Sequence, residues 1–441
     1  MQWRMLFATM VGYTLFYFMR KNFSFAMPGL EQDCGISKSM LGNFLFWGGI
    51  VYGLSKFVNG IVGDKVKPKR MLCFGLLACT LVNVAFGFAP QIANPPWAVR
   101  GAGTTALAWT FGMLLVVNQF FQGTGFSPCA KLIAFWIPPK ELATKMSVWN
   151  TSHSIGGGLV AKICGVIMGL GAIGAANQGV GMWRWCFWSM AALGFLGLVL
   201  MMFWLPGTPK EEGLPDLPGT ETTPAPRTTT HEPRTTTHEP RATALRMVFM
   251  NPVIWMLGFI NFTINAVRAL VADWGPTMLQ EAKGFDPSET GTIIMLFEFA
   301  GIAGMLFAGW ATDRFFGGRA PRLCVFLMLL TALLLAGFWL LPAGIFGAAA
   351  LCLCGFCLYG PQALTGVTAT NLATKRFAGT AIGFISLFSY VGVSVSGKVC
   401  GNLAQSFDGW RLPVLAMTLT AVVGVVLFAA LWRTRANAYG D

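Results

Sequence analysis

The chain is 441 residues long, 55% apolar and only 11% charged, with a mean hydropathy of +0.60, whereas an ordinary soluble domain is roughly 25% charged. That balance excludes a water-soluble globular protein, and the length accommodates about a dozen membrane spans of about 20 residues with short connections. Lysine and arginine (31) exceed aspartate and glutamate (18) for a formal charge of +13, but they fall in short loops and inside apolar runs rather than in one soluble patch, which argues against a nucleic-acid partner.

Apolar runs of spanning length occupy 5–29, 40–63, 71–90, 104–136, 143–171 and 183–205, and then 252–280, 288–311, 321–342, 345–371, 377–405 and 409–432. The first run is too long for a signal-peptide core and has no small-residue cleavage site, so it reads as a retained span. An all-α integral membrane protein of about 12 transmembrane helices is expected, in two six-helix halves, 1–205 and 251–441. Between them, residues 206–250 are rich in proline, threonine and charge and repeat R-T-T-T-H-E-P at 227–233 and 234–240; such composition buries no core, so a flexible linker is expected.

Placing the termini and linker on one side gives the short loops of that side Lys65, Lys67, Lys69, Arg70, Lys140, Lys145, Arg314, Arg319, Arg322, Lys375 and Arg376. The opposite loops hold only Lys38, Arg100, Arg184, Lys283 and Arg411, so the termini and linker are expected to be cytoplasmic. After the second span stands G-I-V-G-D-K, Gly60 to Lys65 with Asp64; after the eighth stands G-W-A-T-D-R, Gly309 to Arg314 with Asp313. This repeated G-x-x-x-D-[KR] loop at the same point of both halves resembles the loop signature of the major facilitator superfamily, and implies a 6+6 transporter with its substrate site between the halves at mid-membrane.

Seven cations, Arg20, Lys21, Lys56, Lys131, Lys162, Arg268 and Lys398, lie within the apolar runs, and the matching acids are only Asp273 and Glu298. A charge at the bilayer centre costs about 2.5 to 3.5 kcal/mol on the lenient insertion scale. Two acids cannot neutralise seven cations, and an anionic substrate is the simplest compensation. Arg20 and Arg268 stand on the first and seventh spans, equivalent helices of the two halves; arginine stays protonated, and its planar fork matches two phosphate oxygens. The alternative is that each snorkels or forms a structural ion pair.

The stretch G-Y-T-L-F-Y-F-M-R-K-N-F-S-F-A-M-P at Gly12 to Pro28, with Y-G-L-S-K-F at Tyr52 to Phe57, resembles the first two spans of the organophosphate:phosphate antiporter family, which includes the glycerol-3-phosphate and hexose-6-phosphate transporters. W-N-T-S-H-S-I-G-G-G at Trp149 to Gly158 is similar to the family signature, with Ser154 replacing its usual asparagine and Leu142-Ala143 the Arg-Gly before it. R-A-L-V-A-D-W-G-P-T at Arg268 to Thr277 and F-E-F-A-G at Phe297 to Gly301 resemble the seventh and eighth spans.

The resemblance implies that Arg20 and Arg268 clasp the phosphate while Lys56 and His153 line the same cavity. His153 is the only histidine outside the linker; a neutral imidazole can donate one hydrogen bond to phosphate, and the alternative is a packing role. Asn150, one turn earlier, is placed to orient His153 or the ligand. In the family pattern Lys21 pairs with Asp273 and Lys56 with Glu298, bridges between the halves that open when substrate competes for them. Tyr13, Tyr17 and Tyr52 match family cavity positions, and Tyr359 and Tyr390 are candidate counterparts, in a chain with six tyrosines against 37 phenylalanines. Lys398 has no acid one turn away; it either favours a substrate with a second negative group, such as the carboxylate of phosphoglycerate, or takes an acid from another helix. Lys131 and Lys162 read as snorkelling.

Cys352, Cys354 and Cys357 sit in an apolar run with no nearby histidine, and the 11 cysteines overall read as buried hydrophobes with no disulfide framework. No phosphate-binding G-x-x-x-x-G-K-[ST] loop occurs, and the N-x-[ST] matches at Asn22, Asn150 and Asn261 lie within spans. The expectation is a monomeric antiporter in a bacterial cytoplasmic membrane, not an enzyme and without metal or cofactor, that exchanges an organic phosphate for inorganic phosphate across the lipid bilayer; a transporter-like receptor for external sugar phosphate is the alternative.

Overall fold

The computed structural model describes residues 1–94, 103–173, 181–215, 249–372 and 374–434, and every regular element among them is helical. Eight α-helices come first: α1 Gln2–Cys34, α2 Lys38–Lys65, α3 Pro68–Gly87, the short α4 Ala89–Ala93, α5 Gly103–Gln122, α6 Phe126–Trp136, α7 Pro139–Ile173 and α8 Trp183–Trp204. Six follow: α9 Pro252–Lys283, α10 Pro287–Phe315, α11 Ala320–Leu340, α12 Ile345–Leu372, α13 Thr374–Ser406 and α14 Arg411–Ala430. In hydrocarbon no water can satisfy backbone N–H and C=O groups, so long apolar runs close their hydrogen bonds within helices. Among the described residues, 11 segments are long and apolar enough to cross a membrane. The remaining long helix, α1, spans 33 residues but is diluted by Arg20, Lys21, Asn22, Glu31 and Asp33.

The ends of equivalent helices are built alike. Helix α1 stops at Gly35 (φ 64°) and α9 at Gly284 (φ 67°), each a left-handed cap whose N–H returns to the last turn. Ser37 then caps α2 through Met40 N, and Asp286 caps α10 in a reciprocal box with Glu289.

The run 104–136, expected as one helix, is broken into α5 and α6 by Gly123–Thr124–Gly125. A Cβ on Gly123 would lie 2.3 Å from Ser55 Oγ, so the chain turns where it approaches α2. The linker expectation also needs amendment at its start. Pro206, Gly207 and Pro209 are buried, Trp136 Nε1 donates to the Gly207 carbonyl at 2.8 Å, and Lys67 meets Glu211 at 2.8 Å. That contact holds the Glu211 carboxyl below its usual range. Residues 216–248, with the R-T-T-T-H-E-P repeat, lie outside the described residues, as do Arg100 and the side chains of Asp64, Lys140, Lys375 and Arg376.

Three pairings join the first eight helices to the last six: α2 runs along α13, α7 along α10, and α1 against α9. At one end of the bundle they meet with almost no side chain between them. A Cβ on Gly165 would stand 2.6 Å from the Pro287 carbonyl oxygen and 2.8 Å from Gly291 Cα; one on Gly42 would stand 2.9 Å from the Gly397 carbonyl. Polar contacts close the same end. Lys38 Nζ bridges Glu31 (2.5 Å) and Glu281 (3.1 Å), Ser39 Oγ donates to Asn402 Oδ1 at 2.7 Å, and Lys38 N donates to Gln405 Oε1 at 3.1 Å. At the opposite end, which carries the N-terminus, the pairings splay and leave a cavity.

Candidate functional site

The cavity has a volume of about 1090 Å³ and is lined from α1, α2, α6, α7, α9, α10, α12 and α13, from Arg20 and Arg268 deep inside to Gly60, Phe249 and Thr380 at its mouth. Ligand pockets for small molecules are commonly about 300–1,000 Å³, so a phosphate ester fits with room for water. The walls differ in chemistry. Tyr13, Tyr17, Arg20, Lys21, Tyr52, Lys56 and His153 come from α1–α8; Asn261, Asn265, Arg268, Asp273, Tyr359, Gln362 and Tyr390 come from α9–α14.

Arg20 has no carboxylate partner among the described residues. Its guanidinium lies 3.8 Å from the Tyr52 ring centroid and 5.6 Å from that of Tyr17; aromatic faces attract a cation without supplying countercharge. Tyr52 meets Tyr390 edge-on at 5.1 Å, and Lys56 Nζ, also without a carboxylate, donates to the Tyr390 hydroxyl at 2.8 Å and sits 4.1 Å from the Phe126 ring. Tyr13 packs on Tyr17 (5.4 Å) and Trp149 (4.8 Å), which stiffens the wall beside Arg20.

The acids are already engaged. Lys21 bonds Asp273 across the α1–α9 seam. Glu298, 2% exposed, accepts from Arg268 Nη2 at 3.2 Å and from the Tyr359 hydroxyl, and the Arg268 guanidinium lies 4.6 Å from the Tyr359 ring. The partner of Glu298 is therefore Arg268 rather than Lys56: the two groups share the α9–α10 face, whereas Lys56 is held by Tyr390 on the other side of the cavity. The two arginines thus differ, one compensated and one bare. Glu298 still touches the seam, since a Cβ on Gly157 of α7 would stand 3.2 Å from its carboxyl carbon.

His153 lies between Tyr17 (5.9 Å) and Tyr359 (6.2 Å). Its Nδ1 contacts the Asn150 backbone carbonyl, and its Nε2 is buried without a partner. A carbonyl can only accept, so in the neutral ring the proton sits on Nδ1 and the buried Nε2 is left an acceptor. The expected donation to phosphate from neutral His153 is therefore not the arrangement seen. Asn150 orients the ring through its backbone, and its side chain lines the cavity.

Other expected residues fall elsewhere. Lys398 is exposed on the outer face of α13, 5.3 Å from the Phe46 ring centroid, and does not line the cavity; the helix turns it away from the inward-facing Tyr390 and Val393. It is therefore not a substrate-binding residue in this arrangement. Lys131 Nζ donates to the Gly63 carbonyl at 2.8 Å, and Lys162 Nζ donates to Thr292 Oγ1 at 2.8 Å across the α7–α10 seam. The loop motifs end α2 and α10: Gly60 lines the cavity mouth, while Lys65, Asp313 and Arg314 are exposed and Gly309 has open space around it.

The sequence reading missed Asn261, Asn265 and Gln362. The signal was present: Asn261, Asn265 and Arg268 follow at i, i+4 and i+7 on one stripe of an apolar helix, the spacing of a shared face, and Gln362 stands one turn after Tyr359.

The model for the Major Facilitator Superfamily matches residues 9–397. The chain is 33% identical over 431 residues to the glycerol-3-phosphate transporter of Bacillus subtilis, covering 96% of this chain and 90% of that protein. It is 32% identical over 431 residues to the membrane sensor protein UhpC of Escherichia coli, again covering 96% and 90%. Among solved structures, a bacterial homologue of the human lysosomal transporter Spinster, captured inward-facing and unoccupied, superposes with a TM-score of 0.76 at 15% identity, covering 98% of this chain and 97% of that one; at that identity the likeness speaks for the fold. A matched family model over most of the chain, full-length relatives and the motifs on α1, α2, α7, α9 and α10 together place this multi-pass membrane protein in the Major Facilitator Superfamily, within its organophosphate:phosphate antiporter family.

Proposed function

We propose that the protein exchanges an organic phosphate ester for inorganic phosphate by alternating access in a bacterial cytoplasmic membrane, with both termini and residues 206–250 on the cytoplasmic side, and that it works as a monomer. Two six-helix halves, 1–205 and 251–441, rock about the site between them. The carrying observation is the half-buried Arg20, which has no carboxylate partner among the described residues and faces a cavity that also holds Arg268 and Lys56. A phosphate binding at Arg20 draws the Arg268 fork from Glu298, so one anion links α1 to α9. An empty site keeps unbalanced positive charge that resists enclosure in low dielectric, which makes return without a substrate slow. The relative named a glycerol-3-phosphate transporter supports this reading.

The test is purified protein in vesicles loaded with labelled phosphate. Efflux is expected only when phosphate or a phosphate ester is added outside. Efflux into substrate-free buffer at the same rate would rule out obligatory exchange. The relative named a membrane sensor favours a second reading, reception without turnover, and substrate binding with no flux in either direction would select it.

A further inference from the structure

Four amide side chains, Asn22 of α1, Asn83 of α3 and Asn118 and Gln122 of α5, are at most 3% exposed and do not line the cavity. Their bonds converge on the stretch of α1 that carries Arg20. Asn118 Nδ2 donates to the Met19 carbonyl at 2.8 Å, and Gln122 Nε2, one turn further along α5, donates to the Phe16 carbonyl at 3.0 Å. Asn22 Nδ2 donates to Asn83 Oδ1 at 2.7 Å and to the Cys186 carbonyl of α8 at 3.1 Å. In an α-helix the Phe16 carbonyl already takes the Arg20 N–H, and the Met19 carbonyl the Phe23 N–H. A carbonyl has two lone pairs, so each accepts the side-chain donor as a second bond and α1 keeps its own ladder. These contacts therefore do not complete the helix; they fix where its backbone stands and how it is turned against α5. Away from water, an amide that lost its carbonyl would go unpaired, which resists sliding or rotation of α1.

The two cavity arginines are placed by different means. Arg268 is oriented by Glu298 and by the Tyr359 ring. Arg20 has no carboxylate among the described residues and rests on the rings of Tyr52 and Tyr17; cation–aromatic attraction accepts any position within about 6 Å of the centroid. Where the Arg20 fork stands is therefore set by the backbone that carries it, and that backbone is what Asn118 and Gln122 hold.

We propose that Asn118 and Gln122 are positioning residues for anion binding: they clamp the Phe16–Arg20 turn of α1, so that the Arg20 fork, which has no counter-ion to orient it, keeps one place in the cavity while Arg268 is the arginine that moves. Asn22 and Asn83 complete the brace toward α3 and α8. This rests on the phosphate-exchange reading and adds how Arg20 is placed for it.

The experiment is equilibrium binding of labelled inorganic phosphate to the purified full-length protein. Asn118→Leu keeps the branched shape and removes the donor; it is expected to weaken phosphate binding at least about fivefold. In an Arg20→Lys background the same substitution is expected to weaken it less than about twofold, because a flexible ammonium has no fork to place. Thr80→Val is the packing control. Its hydroxyl is buried in the same α1–α3 layer but bonds the Leu76 carbonyl of its own helix at 2.7 Å and the Met19 sulfur, not the α1 backbone, and binding is expected to change less than about twofold. Unchanged binding by Asn118→Leu, or an equal loss with and without the Arg20 fork, overturns the brace. Melting temperatures give a second readout: a general packing effect makes affinity fall in step with stability across Asn118→Leu, Gln122→Met and Thr80→Val, whereas the brace separates the first two from the third. Gln122→Met, which keeps the unbranched chain without the donor, runs the same cycle where Asn118→Leu does not fold. Wild-type protein that binds no phosphate overturns the phosphate reading itself, whatever the variants do.

Discussion

Arg268 is a shared donor: its fork holds Glu298 now and in the proposed cycle is given over to phosphate. Lysine keeps the charge but loses the planar two-point geometry, so Arg268→Lys is expected to lower phosphate exchange at least about tenfold, measured as initial rates in vesicles; full-rate exchange would show that the fork is not required. Glu298→Gln removes the competitor. Phosphate is then expected to bind more tightly in an equilibrium assay while turnover falls, because the freed guanidinium has no carboxylate to return to. Lys398→Ala is the contrast: with its ammonium on the outer face of α13, exchange kinetics are expected to stay within about twofold of wild type, and a larger change in substrate KM would bring Lys398 back into the site.

At the scale of helices, the closed end depends on backbones that touch. Gly165 and Gly291 allow α7 and α10 to meet where a single Cβ would collide with the Pro287 carbonyl at 2.6 Å, and carbonyl oxygens cannot yield as a flexible side-chain tip can. Gly165→Leu is therefore expected to keep this end apart, seen as a longer distance between spin labels on α7 and α10, with slower exchange. The segment after α8 is a second element-level feature. The Lys67–Glu211 contact depresses the Glu211 carboxyl, so its contribution is present above the unfolded carboxylate pKa and lost as pH falls through the lower folded value. Hydrogen-exchange protection at residues 207–214 is expected to hold between about pH 6 and 8 and to fall once the medium drops below about pH 4.

At the scale of the whole molecule, alternating access needs the two ends to close in turn. The closed end here is tied by Lys38, whose ammonium joins Glu31 at the end of α1 to Glu281 near the end of α9; Trp410 Nε1 holds the same Glu281 at 2.7 Å. Glu281→Gln removes the bridge between the two helix sets but keeps the bridge within the first. The population open at this end is expected to rise, read as a lengthened label-to-label distance between the ends of α2 and α13. Unchanged distances, with or without phosphate, would show that the glycine packing and the Ser39–Asn402 and Lys38–Gln405 hydrogen bonds hold this end without the bridge.

The sequence by itself determined that the chain is helical and where most of its long helices run, because a hydrocarbon solvent demands internally bonded backbone and leaves a long apolar run one solution. It also picked out Arg20, Lys21, Lys56, Arg268, Asp273 and Glu298, since charges inside apolar runs are costly enough to stand out. Which acid answers which cation was decided only by tertiary structure. Charge along the chain does not say whether Glu298 answers Lys56 or Arg268, and the α9–α10 packing gave it to Arg268. The same holds for the rotation of α13 that sends Lys398 outward, the break at Gly123 that follows the approach of Ser55, and the carbonyl of Asn150 that fixes the proton on His153. Composition along a helix reports what must avoid lipid; the direction in which each polar atom points depends on the neighbour that packing brings to it, three residues away for His153 and hundreds away for Lys21.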